Sequence, residues 1–484
     1  MNITLTQLQQ WLPMAALANA SALSPIALNS SIQAIRTDSR SIVAGDLFVA
    51  LKGETWDGID FLAQAQAQGA VAVLFEAQDG HCTDVQKYLA DLVVPALCVP
   101  NAREALGELA AHWRRQFELS LIGVTGSNGK TTVTQMISAV LRADAAQASL
   151  STQGNLNNDI GVPLTLFNLR ASHRRAVVEL GMNHPGEIEV LASFAQPTIG
   201  LVNNAQREHQ EFMTTVEAVA LENGEVIRAL PANGIAVFPA QDHYTSLWKG
   251  LAGARQCITF GWQEGDVQAH QITWAKGTWR FQLLTPQGAM SCRLNIAGRH
   301  NVLNALAAAA CALAAGMNLA TIVQGLENFE AVKGRSKSWQ WQVEGHPFTL
   351  VDDTYNANPD SVRAAIDVLA ELPAPRLMVL GDMGEVGQQG PEFHTEVGAY
   401  AKSQGIQSLF ALGVLSQFSC QAFEGAQHFE EMSALQHAVL QQIGNFQSVV
   451  VKGSRFMKME RVVEALREKS QNVPVTERES AHAA

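Results

Sequence analysis

The sequence predicts an α/β protein of three domains: a small N-terminal α/β domain, a central domain on a parallel sheet, and a C-terminal Rossmann-like doubly wound domain. Three observations carry this expectation. Short apolar runs alternate with helical patterns along nearly the whole chain. At 484 residues the chain exceeds what one core supports. The alternation also restarts after the Gly334-Arg335 turn.

The elements follow in order. In residues 1–100, Leu47 to Leu51, Ala70 to Phe75 and Val93 to Val99 read as strands, with a helical pattern near 60–69. The central domain, 101–332, opens on a helix-like stretch, Ala105 to Phe117. Strand candidates follow at Leu119 to Val124, Ala176 to Leu180, Ile199 to Val202 and Ile235 to Phe238, with helical segments between, the rhythm of a parallel sheet covered on both faces. An alanine-rich helix from Val302 closes this domain. In 333–484 the strands are Phe348 to Val351, Leu377 to Leu380, Leu409 to Leu412 and Val449 to Val451, with helices around 360–371, 392–403, 431–442 and 457–468. The last fifteen residues read as a frayed tail.

Composition narrows the class. The chain is 47% apolar and 16% charged, with a net charge of −12, which leaves no electrostatic footprint for nucleic acid or an anionic membrane. Its six cysteines, at 82, 98, 257, 292, 311 and 420, lack zinc or redox spacing and read as thiols in a reducing compartment. The N-terminus has no charged signal region, and the longest apolar helix candidate, Ala305 to Met317, is too short to cross a bilayer. A cytoplasmic protein, expected as a monomer, follows.

The chemistry is concentrated in Gly126, Ser127, Asn128, Gly129, Lys130, Thr131 and Thr132, a glycine-rich loop between an apolar run and a helical pattern. Such a loop turns backbone N–H groups toward phosphate oxygens at a helix N-terminus, lets Lys130 reach the outer phosphates and offers the Thr131 hydroxyl to Mg²⁺. The expected ligand is a nucleoside triphosphate with Mg²⁺. Valine stands at 124, where the consensus has glycine, so Gly126 and Gly129 must shape the turn. Glu179 ends the strand Ala176 to Leu180, where its carboxylate approaches a cation on Thr131; a solvated strand-end glutamate is the alternative.

Further blocks stand in order: Thr37 to Arg40, Gly154 to Asn158, Glu179 to Ile188, Gly298 to Asn304, Asp352 to Pro359 and Lys452 to Arg455. With the glycine-rich loop they resemble the Mur ligases of peptidoglycan synthesis over nearly the whole chain. The resemblance is strongest to the branch that adds D-Ala-D-Ala to UDP-MurNAc-tripeptide. It implies ATP-dependent amide formation through an acyl phosphate, with Lys130, Glu179, His209 and Arg335 in the catalytic centre.

Residue by residue, the resemblance implies that Thr131 and Glu179 hold one cation and that His209 serves a second; alone, His209 reads as a loop histidine. Many relatives carry a carbamylated lysine in Ala-Lys-Ala-Lys-Gly-Glu, but here the stretch is Ala220-Leu221-Glu222-Asn223-Gly224-Glu225. Glu222 is therefore expected to replace the carbamate as a metal ligand, a helix-surface glutamate being the alternative. Asn301 and Asn304, at i and i+3 on one helix face, are expected to read adenine, or else to cap the helix. Arg335 would bind ATP phosphates bidentately on closure, or form an interdomain ion pair. Asp353 and Tyr355 would contact ribose or phosphate and the base.

On the substrate side, Asp38, Ser39 and Arg40 would bind the UDP moiety, a capped turn being the alternative. Asn155, Asn157, Asn158, Asn183 and His184 read as substrate-facing loops. Asn356 and Asn358 would help to form the dipeptide and acyl sites, and Lys452 and Arg455 would hold the D-Ala-D-Ala carboxylate, or stand as solvated strand-end charges. The sibling ligase that adds the third stem residue carries an Asp-Asn-Pro-Arg signature that this sequence lacks. From another class, a nucleotide-gated interaction protein would share the loop but form no bond.

Overall fold

The computed structural model describes residues 1–19, 30–77, 86–275, 277–343 and 345–471. The expected frayed tail lies mostly outside these residues. Three principal sheets succeed one another along the chain. The first, residues 16–99, has five strands in the order Ala16–Leu17, Ala96–Val99, Ala72–Glu76, Asp46–Ala50 and Ala34–Arg36, parallel except for the first pair.

The second sheet has nine strands and holds the glycine-rich loop. At its centre Ser120–Thr125 pairs in parallel with Arg175–Glu179 on one side and Ile199–Val202 on the other. The register sets Glu179 opposite Val124 and Val202 opposite Thr125, so three strand C-termini open on one crevice, where such sheets bind ligands. Ile235–Pro239 and Gln256–Gly261 extend the parallel part. An antiparallel meander, Val267–Ala275, Thr278–Thr285 and Gly288–Leu294, completes the edge. This meander adds to the parallel sheet expected from sequence. Its first strand buries only some of its residues, so it lacks the continuous apolar run that marks a strand covered on both faces.

Helices cover both faces of the second sheet. Lys130–Ala145, His300–Ala314 and Leu319–Glu327 pack on one side. Ala305 to Ala312 are wholly buried, small enough for the helix to lie close against its neighbours. At the crossing of Leu319–Glu327 with Lys130–Ala145, Gly325 is required: a Cβ there would lie 2.3 Å from Val140 Cα. On the opposite side Ala102–Arg114, Gly161–Leu166 and Glu187–Ala195 build a core continuous with that of the first sheet.

The third sheet runs Lys337–Val343, His346–Asp353, Ser448–Lys452, Arg376–Gly381, Ser408–Leu412 and Gln427–Phe429, parallel after an antiparallel first pair. Its register makes Asp353 and Lys452 cross-strand neighbours at the strand ends. The helix Pro359–Ala370 starts just beyond, fixed by a capping box between Asn358 and Ser361 and by proline in its first turn.

Candidate active site

The glycine-rich loop leaves the strand Ser120–Thr125 and enters the helix Lys130–Ala145. Val124 is a buried strand residue, and the turn is made by Gly126 and Gly129, with φ of +132° and +82°. At Gly129 a Cβ would also lie 2.7 Å from Asn304 Oδ1. Asparagines tie the loop down. Asn223 Oδ1 accepts the Gly126 N–H, Asn204 Oδ1 accepts the Asn128 N–H, and the side-chain amides of Asn203 and Asn204 both donate to the Asn128 carbonyl. The first N–H groups of the helix remain directed at the crevice.

Two carboxylates face that N-terminus. Glu179 Oε1 accepts the Thr131 hydroxyl at 3.0 Å and the Asn157 amide at 2.8 Å. Its Oε2 is buried without a partner among the described residues. Glu208 Oε2 lies 3.1 Å from Lys130 Nζ. His209, in the left-handed region at φ +48°, sets Nδ1 2.6 Å from Glu385 Oε2 of the third unit and Nε2 3.8 Å from Glu208 Oε2. The His209 contact holds the Glu385 carboxyl below its usual range against the effect of burial.

The third unit supplies the opposite wall. Asp353 accepts the Ser336 N–H and hydroxyl on Oδ1 and pairs with Lys452 on Oδ2, while Lys452 also donates to the Asn356 carbonyl. Burial raises the Asp353 carboxyl, but the Lys452 charge and hydrogen bond outweigh it and the net shift is downward. Burial lowers the nearby His300 imidazole. The Arg335 guanidinium stacks 3.9 Å from the Tyr355 ring centre. Asn358 Nδ2 donates to Asn128 Oδ1 across the cleft. Arg207 binds Asp360 and Glu396 on the third unit. Together these walls enclose a cavity of about 1610 Å³.

Its inventory suits a polyphosphate. Helix N–H groups and Lys130 meet the anion, and the Thr131 hydroxyl with the unpartnered oxygen of Glu179 fits a hard divalent cation. Among the described residues no three His, Cys, Asp or Glu side chains form a metal cage. Such a cation would complete its shell from phosphate and water, as Mg²⁺ does.

Three family models match in succession: the Mur ligase family catalytic domain at residues 31–114, the Mur ligase middle domain at 124–312 and the Mur ligase glutamate ligase domain at 339–455. The UDP-N-acetylmuramoyl-tripeptide--D-alanyl-D-alanine ligase of Escherichia coli K12 is 40% identical over 442 residues, 90% of this chain and 94% of that one. The chain belongs to the Mur ligase family. A crystal structure of MurF from Acinetobacter baumannii matches with a TM-score of 0.87 at 35% identity, covering 97% of this chain and 99% of that one. MurF ligase from Thermotoga maritima in complex with ADP, 24% identical with a TM-score of 0.78 over 90% of this chain and 98% of that one, shares the fold.

The Mur ligase fold gathers most of the sequence-selected residues in the one cavity: the loop residues 127–132, Asn155, Asn157, Asn158, Glu179, Asn183, His209, Asn301, Asn304, Arg335, Asp353, Tyr355, Asn356, Asn358, Lys452 and Arg455 all line it. Gly126, the buried first residue of the loop, does not line the cavity. Asp38, Ser39 and Arg40 lie apart, on the first unit. There Asp38 caps the short helix Ser39–Ser41 and pairs with Arg40, whose hydrogen bonds hold the carboxyl down at about 2. His184 stands outside the lining, beside Glu187 and the Phe212 ring.

Four expectations change in kind. Glu222 is no member of the cavity wall: its two oxygens accept the N–H groups of Gly186 and Ile188, capping the helix Glu187–Ala195. Each oxygen accepts one N–H, a capping role outside the cavity that the sequence did not indicate. Asn301 donates to the Ala297 carbonyl and accepts from Asn304, whose Oδ1 takes the Asn203 amide. These amides buttress the loop at Gly129 from within the cavity wall. Lys452 is 3% exposed and directs two of its three donors to Asp353 and Asn356. It holds the strand ends together, whereas Arg455, 67% exposed beside Tyr355, keeps donors free for a substrate carboxylate. Asp353 accepts on both oxygens and thereby orders Ser336 and Lys452.

Sequence reasoning passed over Glu208, Asn203, Asn204, Asn223 and Glu385. Glu208 stood beside His209 in the chain. The asparagines carry no spacing signal, because their partners lie about 75 to 100 residues away.

Proposed function

We propose that this Mur ligase joins the amino group of D-alanyl-D-alanine to the terminal carboxylate of UDP-N-acetylmuramoyl-tripeptide, converting ATP to ADP and phosphate. The observation that carries the reading is the 40% identity, across nine-tenths of the chain, to a ligase of that name. The cleft supports it, since phosphate-binding and substrate-facing loops meet on one cavity.

The reaction needs a leaving group better than oxide. The substrate carboxylate attacks the γ-phosphorus, the β–γ bridging bond breaks and ADP departs, leaving an acyl phosphate. The dipeptide ammonium gives up a proton, the free amine attacks the carbonyl carbon, phosphate leaves with the electron pair of the broken C–O bond, and the nitrogen releases a second proton to solvent to become the amide. Two anions must approach in the first step. Lys130, the helix N–H groups and Arg335 are the cationic and dipolar groups that line the approach. Mg²⁺ held by Thr131 and Glu179 would neutralise phosphate charge. Arg335 and Arg455 flank Tyr355, a wall suited to carboxylate and phosphate alike.

The first unit, with Asp38 to Arg40, takes the UDP end, and the joints between units fall near residues 101 and 333. No helix among the described residues is long and apolar enough to cross a membrane. The enzyme acts as a cytoplasmic monomer on soluble substrates.

Product mass after incubation with ATP, D-Ala-D-Ala and each UDP-muropeptide tests the reading. Only the tripeptide substrate should gain the dipeptide, and hydroxylamine should trap a muropeptide hydroxamate. Phosphate release with ATP alone, and no new amide, would favour a nucleotide-gated switch.

A further inference from the structure

Glu208 is a buried carboxylate to which none of the steps above gives work. It is 4% exposed, lines the cavity and lies beside Lys130. The Lys130 ammonium has three donors, and all three are engaged: by Glu208 Oε2 and by the carbonyls of Gly126 and Ser127. Glu208 Oε1 has no hydrogen-bond partner among the described residues. The cation the loop would offer to phosphate is thus already neutralised from within the same wall. Glu179 adds a second buried carboxylate with one unpartnered oxygen.

At the loop itself the charged side chains are Lys130, Glu179 and Glu208, one positive and two negative, while Arg335 stands on the opposite wall beside Tyr355. A metal-free triphosphate at the loop is repelled by these two buried carboxylates in a partly desolvated site, where Coulomb energies are large. Pulling Lys130 onto the phosphates does not help, because it strands Glu208 as an uncompensated buried charge beside the incoming anion. A divalent cation entering with the nucleotide reverses the balance, since hard cations take carboxylate and phosphate oxygens together.

We infer that Glu208 is a specificity-determining residue that makes nucleotide binding conditional on the divalent cation, so that the loop rejects metal-free ATP. This rests on the reading of the loop as a nucleotide site. A residue that merely kept Lys130 in place would act differently: its loss would weaken metal-loaded and metal-free ATP alike.

The test is calorimetric titration of ATP into the full-length protein, with excess Mg²⁺ or with excess chelator, for wild type, Glu208→Gln and Glu208→Ala. Wild type should bind metal-free ATP about a hundredfold more weakly than the Mg²⁺ form, and both variants should narrow that ratio by about tenfold or more by tightening the metal-free arm. A ratio unchanged in the variants overturns the assignment of Glu208 while leaving the nucleotide site intact. Equal wild-type affinities in the two arms overturn it without recourse to any variant, even one that misfolds. No ATP binding in either arm overturns the reading of the loop as well.

Discussion

Arg207 clamps the central and third units together, and its removal should open the cleft. Its guanidinium lies 2.7 Å from Asp360 and 2.7 Å from Glu396, and its backbone N–H donates to Asp360 at 2.9 Å. Arg363 shares Glu396 at 2.9 Å. Fully buried charge-assisted bonds of this kind contribute about 1.5–3 kcal/mol each. Arg207 is 24% exposed and its partners 23% and 33%, so screening brings the side-chain contribution of the whole clamp to about 1–2 kcal/mol. Arg207→Ala should therefore shift the closed-to-open ratio by about 5–30-fold. Single-molecule energy transfer between dyes on the two units reads this directly, and small-angle scattering should show a larger radius of gyration. The hydrogen bond from Arg207 leads the causes that hold the Glu396 carboxyl below its usual range, against burial. A depressed carboxylate favours the clamped form above the ordinary glutamate value of about 4.3 and loses that contribution as pH falls through its lowered value. Closure should accordingly weaken in acid. Energy-transfer distributions that superimpose for wild type and Arg207→Ala, in the absence of ligands, would refute the reasoning.

Other perturbations separate chemistry from stability. Lys130→Ala should lower kcat/KM by about a thousandfold or more, through lost charge stabilisation. Because Lys130 is paired to buried Glu208, the variant should also lose about 3 kcal/mol in chemical denaturation, most of it regained in Lys130→Ala/Glu208→Gln. Glu222→Gln should cost about 1–2 kcal/mol of unfolding free energy while leaving the Mg²⁺ titration of turnover unchanged, as expected of a helix cap. A changed Mg²⁺ requirement would restore it as a ligand. Buried His394 accepts the Met383 N–H on Nε2 and contacts the Gly390 carbonyl through Nδ1, and burial lowers its pKa. A lowered imidazole contributes stability above the unfolded value of about 6.5 and loses it progressively below, so His394→Gln should flatten the acid limb of a melting-temperature profile.

What the sequence determined by itself was local and periodic. The loop 126–132 was legible because phosphate binding demands glycines, a lysine and a hydroxyl within seven consecutive residues between a strand and a helix. Fully buried parallel strands such as the one holding Ala176 to Val178 were legible because burial on both faces writes an unbroken apolar run. Tertiary structure decided what each polar side chain does with its finite donors and acceptors. Glu222 and Glu208 look alike in sequence, yet one spends both oxygens on a helix N-terminus and the other keeps one free beside Lys130. Asn301, Asn304 and Lys452 line the cavity, and partners set by strand register and by helices packed from distant segments also make them supports. A hydrogen bond needs two groups within about 3 Å, and only the folded chain brings residues 75 to 230 positions apart to that distance.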